Sequence, residues 1–296
     1  MKNLDQILEK KSYWFSQIKE DILWHYTSVS VLNEFIKPDG KIYATHSSEL
    51  NDTEELKIGR EKWMEIISNY NYLNKNNKHI FEYIENTPCV NQLKNNTFIF
   101  SLTSQRDSNY HWENYGDNQQ GIAIGFNVKK LQNVMRFFAE ELWKREPLEY
   151  PVTFVCRAPV NYSIHCDYCI YDYGKMQEYI SMFLKKLPLE EKDDVLRVLQ
   201  LCFYRENIIY NLKTSQWNDD KEVRIIYSGP ELKCNAEFIG EKLRIPLFLS
   251  ADLVEEVMIS PYGNIISILE KTYKSRQNYN LSFKVLKSSL YCDNDI

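Results

Sequence analysis

The stretch Trp24-His25-Tyr26-Thr27-Ser28 places an imidazole beside hydroxyl groups at the end of a short apolar segment. Polar groups at strand ends and in loops often line a binding site, because function is commonly located there. The alternative is a buried histidine that is hydrogen-bonded for structural reasons. The stretch therefore gives one candidate wall of a ligand site, with His25 as its main polar group.

A second candidate lies in the segment KEVRII, where Glu222 and Arg224 alternate with Val223 and Ile225. In a β-strand the two charged side chains would share one face and the apolar pair would point to the core. A carboxylate held on a strand is suited to stabilising developing positive charge or to holding a sugar hydroxyl. The alternative is an exposed strand face on which Glu222 and Arg224 form an ion pair.

The polar and aromatic segment 101–116 lies between two strongly apolar segments and is a third candidate. Trp112 and Tyr115 are three residues apart, so on a helical turn they would share a face and offer a flat surface to a base or a nicotinamide ring. The alternative for Trp112 is packing of the helix onto a sheet. Arg106 is a candidate phosphate ligand, and a surface salt bridge explains it equally well.

The seven cysteines are odd in number and spread along the chain, so a disulfide scaffold is not expected. Cys166 and Cys169, next to His165, have the local spacing of a half zinc site. A structural zinc needs a second pair at comparable spacing, and the sequence has none. We therefore predict ordinary, partly buried thiols and no metal.

Composition excludes several classes of protein. With 296 residues, 44% of them apolar, the chain has enough material for a sizeable core. The formal net charge of −5 does not favour nonspecific nucleic-acid binding through a globally basic surface. No apolar run approaches the roughly 20 residues of a membrane span, and the first residues lack the apolar part of a signal peptide, so a cytoplasmic protein is expected. Motifs of the types GxxxxGK[ST], GxGxxG, HExxH and GxSxG are absent.

The elements that must position these residues alternate between strands and helices. Ser28 is placed to cap a helix that Pro38-Asp39-Gly40 ends, and a further helix is expected near residues 4–18. Strands are expected at 21–26, 41–45, 97–102, 121–126, 151–156, 222–227, 243–247, 254–259 and 281–286. The sequence thus predicts one α+β, mixed-sheet domain over residues 1–296, with a mostly helical insertion at 129–215.

Five motifs in a fixed order resemble an uncharacterised bacterial domain-of-unknown-function family. They are WHYTS, ELNDTEE, the W-x-x-Y of HWENYG, GIAIGF and KEVRI, and the resemblance spans about residues 23–260. The family name implies no activity.

A more remote resemblance implies one. The segment LWHYTSVSVLNEFIKPDGKIYAT is similar to the opening of ADP-ribosyltransferase-like domains. In that superfamily a strand-end histidine and an aromatic residue on the next strand contact NAD, and a glutamate on a later strand orients the nicotinamide ribose. The resemblance implies that His25, with Thr27 or Ser28 beside it, contacts ribose, that Tyr43 stacks on nicotinamide and that Glu222 is the catalytic carboxylate. NAD would be the substrate.

Three hypotheses follow. The first is an NAD-dependent ADP-ribosyltransferase, a toxin or phage-defence effector acting on a nucleic-acid or protein acceptor. The second is a noncatalytic nucleotide-binding sensor that uses Arg106, Trp112 and Tyr115. The third is a protein-interaction module. We favour the first and expect WHYTS, including Tyr26, together with Arg224 to form part of the nucleotide site.

Overall fold

The described part of the chain is dominated by a ten-stranded mixed sheet. The computed structural model describes residues 18–50, 55–73, 96–135, 163–174, 177–178, 209–228, 236–247, 249–262, 264, 267–268, 270, 273–274, 277 and 279–290. No helix among these residues has the length and apolar character needed to cross a membrane.

The strands and helices have the following bounds. The strands are β1 Ile22–Thr27, β2 Ile42–His46, β3 Thr97–Thr103, β4 Ile122–Asn127, β5 Ser163–Tyr168, β6 Glu222–Ser228, β7 Glu237–Ile239, β8 Lys242–Leu247, β9 Val254–Ile259 and β10 Lys284–Lys287. The helices are α1 Val29–Phe35, α2 Glu55–Leu73 and α3 Asn109–Tyr115, and short 3-10 helices span Ser47–Glu49, Ser215–Asp220 and Ala251–Leu253.

The predicted α+β class with a mixed sheet is confirmed. Neighbouring strands run in the order β10-β9-β4-β1-β3-β2-β8-β7, and β6 pairs with both β3 and β5. Strands β9 and β10 are parallel, whereas the other described pairs are antiparallel. Alternating apolar residues produce this arrangement, since they give most strands one face that can be buried against the main core.

Strands β1 and β2 separate from each other along the same edge of β3. Strand β6 pairs with β3 along its whole length. On the other edge, β1 pairs with β3 through Trp24 opposite Thr103, and β2 pairs with it through Thr45 opposite Ile99 and His46 opposite Phe98. Strand β1 therefore pairs with the C-terminal end of β3 and β2 with its N-terminal part, and a gap remains between β1 and β2.

The sheet separates a large core from a smaller one. Leu23, Phe100, Val223 and Ile225 belong to the large core on one face. Trp24, Tyr26 and Trp112 form the smaller cluster, with Ala123 and Met258, on the other. The predicted orientation of the KEVRII strand is confirmed, because Val223 and Ile225 do face the main core.

Two glycines of the GIAIGF motif allow β1 and β4 to pack closely. A Cβ atom at Gly121 would collide with the carbonyl oxygen of Thr27. A Cβ atom at Gly125 would lie 2.9 Å from the Ile22 side chain and 3.0 Å from the Trp24 ring. The motif therefore keeps β1, which carries His25, against the centre of the sheet.

Parts of the predicted organisation lie outside the described residues. These are the helix at 4–18, the strand at 151–156 and most of the insertion at 129–215. Within that insertion, β5 is a strand that pairs with β6 from Ser163 opposite Ser228 to Tyr168 opposite Val223. It covers the far edge of the strand that carries Glu222, and the sequence analysis did not predict it.

Candidate functional site

A cleft of about 230 Å³ lies where β1 and β2 separate. Its floor comes from β3, residues 99–103, and its sides come from β1, β2, β6 and α3. His25, Tyr43 and Glu222 all line it, although Glu222 is almost 200 positions after His25 in the sequence. The three residues that the resemblance assigned to NAD thus line one cleft, although side-chain alternation directs His25 towards the main core, and Tyr43 and Glu222 towards the opposite face of the sheet.

His25 is fixed by a hydrogen bond to the strand at the base of the cleft. Its Nδ1 lies 3.0 Å from the carbonyl oxygen of Ser101, and its ring packs against Phe100 with the centroids 4.5 Å apart. Burial lowers the pKa of His25 to about 4, the Ser101 carbonyl opposes this, and the positive charge of Arg244 lowers it further. His25 is therefore neutral at pH 7.

The tautomer of His25 follows from this contact. A carbonyl oxygen only accepts hydrogen bonds, so Nδ1 carries the proton and donates it to Ser101. The other nitrogen, Nε2, is then an unprotonated acceptor on a residue that lines the cleft. The hydrogen bond to Ser101 is the contact that the structural interpretation of His25 requires, and the ligand-binding interpretation stays a prediction.

Tyr43 lies on β2, on the opposite side of the gap from β1. Its hydroxyl is hydrogen-bonded to Glu237 of β7; burial and the nearby negative charges raise its pKa. Tyr43 and Thr45 both line the cleft, as expected of residues two apart on one strand. The contact with Glu237, which does not line the cleft, therefore helps to fix the position of the Tyr43 side chain.

Glu222 lies in a buried network of four charged side chains. Its carboxylate Oε1 accepts a hydrogen bond from Arg224 Nε at 2.9 Å. Its Oε2 accepts from Arg224 Nη2 at 3.0 Å and from Lys213 Nζ at 2.7 Å. Glu222 is only 6% exposed and Arg224 2% exposed. The ion pair considered from the sequence therefore exists, but it is buried and not on an exposed face.

The two cations keep Glu222 ionised. Burial alone would raise the pKa of this carboxyl group, but the charges of Arg224 and Lys213 and their hydrogen bonds lower it to about 2. Lys213 also forms an ion pair with Asp220 at 2.7 Å, so two cations balance two anions. Glu222 therefore acts in this site as a fixed negative charge.

Asp220 connects this network to helix α3. Its Oδ1 accepts hydrogen bonds from the hydroxyls of Tyr110, at 2.9 Å, and Tyr115, at 2.8 Å. Its carbonyl oxygen accepts one from Thr103 at 2.8 Å. The sequence analysis missed Asp220, because its partners in α3 and β3 are more than 100 residues away in the sequence. It also missed Lys213, although the partners of Lys213, Asp220 and Glu222, are only seven and nine residues away.

Two further cleft residues have buried polar atoms without partners among the described residues. They are Nδ1 of His111 and Nε1 of Trp217. His111 donates its other nitrogen, Nε2, to the carbonyl oxygen of Asp220 at 3.0 Å, and burial lowers its pKa. The free Nδ1 is then an acceptor and the Trp217 indole a donor. Buried polar atoms are rarely left unpaired, so these two atoms are exceptions on residues that line the cleft.

The other predicted residues fall into two groups. Tyr26, Tyr115 and Arg224 line the cleft, whereas Thr27, Ser28, Arg106 and Trp112 do not. Ser28 instead caps α1, with its hydroxyl accepting from the Val31 amide at 3.4 Å.

Trp112 and Arg106 have contacts that account for them without a ligand. Trp112 is fully buried, packs edge-on against Tyr26 and donates its indole N–H to Asp107 at 2.9 Å. The Arg106 side chain is 58% exposed and pairs with Glu256 at 3.3 Å. The structure thus favours the packing interpretation of Trp112 and the salt-bridge interpretation of Arg106.

Neither member of the cysteine pair lines the cleft, although the Cys169 amide donates a hydrogen bond to the Glu222 carbonyl oxygen at 2.8 Å. Cys166 and Cys169 are buried thiols that form no disulfide, and burial raises the pKa of Cys166. Within the described ranges, no group of three or more histidine, cysteine, aspartate or glutamate side chains is arranged to hold a metal ion.

Comparison with known proteins finds a family match over part of the chain and no activity. No curated protein and no solved structure matches the chain. Residues 111–225 match the family described as "Protein of unknown function (DUF2971)", which confirms the predicted resemblance to an uncharacterised domain-of-unknown-function family. This matched segment contains the HWENYG, GIAIGF and KEVRI motifs of α3, β4 and β6. His25 and Tyr43 precede it.

Proposed function

We propose that the chain is an NAD-dependent, ADP-ribosyltransferase-like enzyme that binds NAD in the cleft between β1 and β2. The observation that carries this proposal is the convergence of His25, Tyr43 and Glu222 on one cleft. These residues come from β1, β2 and β6, and each has the chemistry that the resemblance requires of it. The acceptor would be a nucleic acid or a protein, as for a bacterial toxin or phage-defence effector.

The proposed reaction breaks the bond between ribose C1′ and the nicotinamide nitrogen. The electron pair of that bond leaves with nicotinamide, which becomes neutral, and positive charge develops on the ribose. An acceptor nucleophile then forms a bond to C1′ and releases its proton to solvent. Glu222 stays ionised because Arg224 and Lys213 lower its pKa to about 2, so it would stabilise the developing charge and would not serve as a proton acceptor.

His25 and Tyr43 would position the substrate. The unprotonated Nε2 of His25 can accept a hydrogen bond from a ribose hydroxyl, while the Ser101 carbonyl fixes the ring orientation. The Tyr43 ring can stack on the nicotinamide. Holding the ribose and the ring in one geometry lowers the entropic cost of reaching the transition state.

A noncatalytic nucleotide-binding sensor is a second candidate. One observation favours it: both carboxylate oxygens of Glu222 already accept hydrogen bonds from Arg224 and Lys213. A carboxylate engaged in this way has less capacity to contact a substrate hydroxyl. This candidate predicts stabilisation by ligand without any product.

The test uses NAD labelled in its adenylate part, with bacterial lysate as the source of acceptor. The variants are Tyr43→Ala, which removes the ring, and Tyr43→Phe, which removes only the hydroxyl that contacts Glu237. The proposal predicts labelled macromolecules with wild type and Tyr43→Phe and at least tenfold less label with Tyr43→Ala. Nuclease and protease digestion of the labelled fraction distinguishes the two acceptor classes.

Glu222→Gln is the second variant, and its fold must be checked because the residue also neutralises two buried cations. Loss of label in a Glu222→Gln protein that retains its circular dichroism spectrum and melts cooperatively supports the proposal. Ligand-induced stabilisation of wild type with neither label transfer nor nicotinamide release would favour the sensor. Equal labelling by wild type and Tyr43→Ala would contradict the proposed site.

A further inference from the structure

Arg244 lies on β8, on the cleft face of the sheet. It is opposite Thr45 of β2 in the strand pairing, and it is two residues from Lys242. Directly paired residues, and residues two apart on a strand, point to the same face. Thr45 and Lys242 both line the cleft, whereas Ile245 on the alternate face belongs to the main core. The Arg244 side chain is therefore on the same face of the sheet as Thr45 and Lys242, next to the cleft although not among the residues that line it.

The guanidinium of Arg244 has no counter-ion among the described residues. Its Nε is buried and has no hydrogen-bond partner in that part of the chain. Glu237 is its cross-strand neighbour on β7, but the carboxylate of Glu237 instead contacts the hydroxyl of Tyr43. A partly buried arginine that forms neither an ion pair nor a hydrogen bond at Nε is unusual, because guanidinium groups are strong multiple donors.

The charge of Arg244 reaches the cleft. The positive charge of Arg244 is one of the causes that lower the pKa of His25, after burial of the imidazole. Lys242 adds a second cationic side chain on the same face, where it lines the cleft. In contrast, the charges of Lys213 and Arg224 are balanced by Asp220 and Glu222 deeper in the cleft.

The cleft is too small to enclose a whole dinucleotide. At about 230 Å³ it is smaller than the roughly 300–1,000 Å³ of pockets that enclose a drug-sized ligand. A dinucleotide with its nicotinamide end between His25 and Tyr43 must extend beyond the cleft. Its two phosphates would then lie over the β8 side of the cleft.

We propose that Arg244, with Lys242 beside it, forms a phosphate-binding subsite that holds the diphosphate of the nucleotide at the β8 side of the cleft. This inference rests on the proposed function for the identity of the nucleotide. It gives Arg244 the phosphate role for which the sequence offered Arg106, whose side chain is 58% exposed and paired with Glu256. The planar guanidinium can donate two parallel hydrogen bonds to one phosphate group.

The experiment measures binding of two probes by isothermal titration calorimetry. ADP-ribose carries the diphosphate, and nicotinamide riboside has no phosphate. Wild type is compared with Arg244→Gln, with Arg244→Lys, which keeps the charge but not the planar group, and with Arg106→Gln as the matched control. Melting curves check each fold, and no loss of stability is expected from Arg244→Gln because no ion pair is broken.

The subsite predicts that Arg244→Gln raises the dissociation constant of ADP-ribose about tenfold or more, since charge-assisted hydrogen bonds to phosphate are lost. Arg244→Lys should have a smaller effect. Arg106→Gln should stay within about twofold of wild type at constant ionic strength, which screens exposed charges. Nicotinamide riboside should bind all four proteins equally.

Several results would overturn the subsite: unchanged ADP-ribose binding by Arg244→Gln, an equal loss of nicotinamide riboside binding, or failure of wild type to bind ADP-ribose. A failure of the proposed transferase function would give different results from a failure of the subsite. If wild type binds ADP-ribose through Arg244 and never consumes NAD, the transferase proposal fails and the subsite stands. If Arg244→Gln consumes NAD with an unchanged KM, the subsite fails and the transferase stands.

Discussion

Replacing Glu222 by glutamine should destabilise the protein strongly, although the two side chains have nearly the same shape. The substitution leaves Lys213 and Arg224 buried with one negative charge fewer. Removing one member of a buried ion pair typically costs about 3–5 kcal/mol. The pKa of Glu222 gives a separate value: a fall from 4.5 to about 2 corresponds to about 3 kcal/mol, since one pKa unit is worth about 1.4 kcal/mol.

The pKa of Glu222 also determines how its contribution to the free energy of unfolding depends on pH. The pKa of Glu222 is lower in the folded than in the unfolded chain, so the stabilisation is complete above about pH 4.5. It decreases as the pH falls towards 2, where the folded protein also binds the proton. The difference between wild type and Glu222→Gln should therefore be about 3 kcal/mol at pH 7 and less than half of that at pH 3.

Urea unfolding followed by tryptophan fluorescence at the two pH values measures these differences. Glu34→Gln is the control, because Glu34 forms an exposed ion pair with Lys37 and its loss should cost less than about 0.5 kcal/mol. A Glu222→Gln difference below about 1 kcal/mol at pH 7, or one that does not shrink at pH 3, would refute the description of Glu222 as a buried carboxylate held ionised by two cations.

Three other predictions concern single side chains. Arg244→Gln should raise the pKa of His25, because the charge of Arg244 lowers it in wild type, and NMR titration of the imidazole measures the change; an unchanged value would mean that the two groups do not interact. Trp112→Phe should reduce the free energy of unfolding by about 2 kcal/mol, through lost packing and the lost bond to Asp107, as measured in urea; a change below about 0.5 kcal/mol would contradict its place in the core. Cys166 should react with a thiol reagent only after unfolding, because it is buried and burial raises its pKa; labelling of this residue in the native protein, located by mass spectrometry, would show that it is accessible.

Much of the strand pattern could be predicted from local sequence. Alternation placed Val223 and Ile225 towards the core and Glu222 and Arg224 on the opposite face, which the structure confirms. Ser28 was recognisable as a helix cap because a hydroxyl preceded a helical apolar pattern. These features depend only on neighbours in the sequence.

The details of the site depend on contacts that local patterns do not encode. The gap between β1 and β2 arises because both strands pair with the same edge of β3, and pairing partners are not readable from one sequence. Asp220 looked like an ordinary loop residue, yet it accepts from Tyr110 and Tyr115, more than 100 residues earlier. A cationic side chain on the cleft face could have been sought on β8, where Lys242 and Arg244 alternate with apolar residues.

The central claim is that the cleft formed around His25, Tyr43 and Glu222 is a site of NAD chemistry. The most direct measurement is free nicotinamide released from NAD by the purified protein, with and without bacterial lysate, quantified by liquid chromatography. The account predicts release by wild type and Tyr43→Phe, and at least tenfold less by Tyr43→Ala. No release by wild type under either condition, or equal release by wild type and Tyr43→Ala, would contradict it.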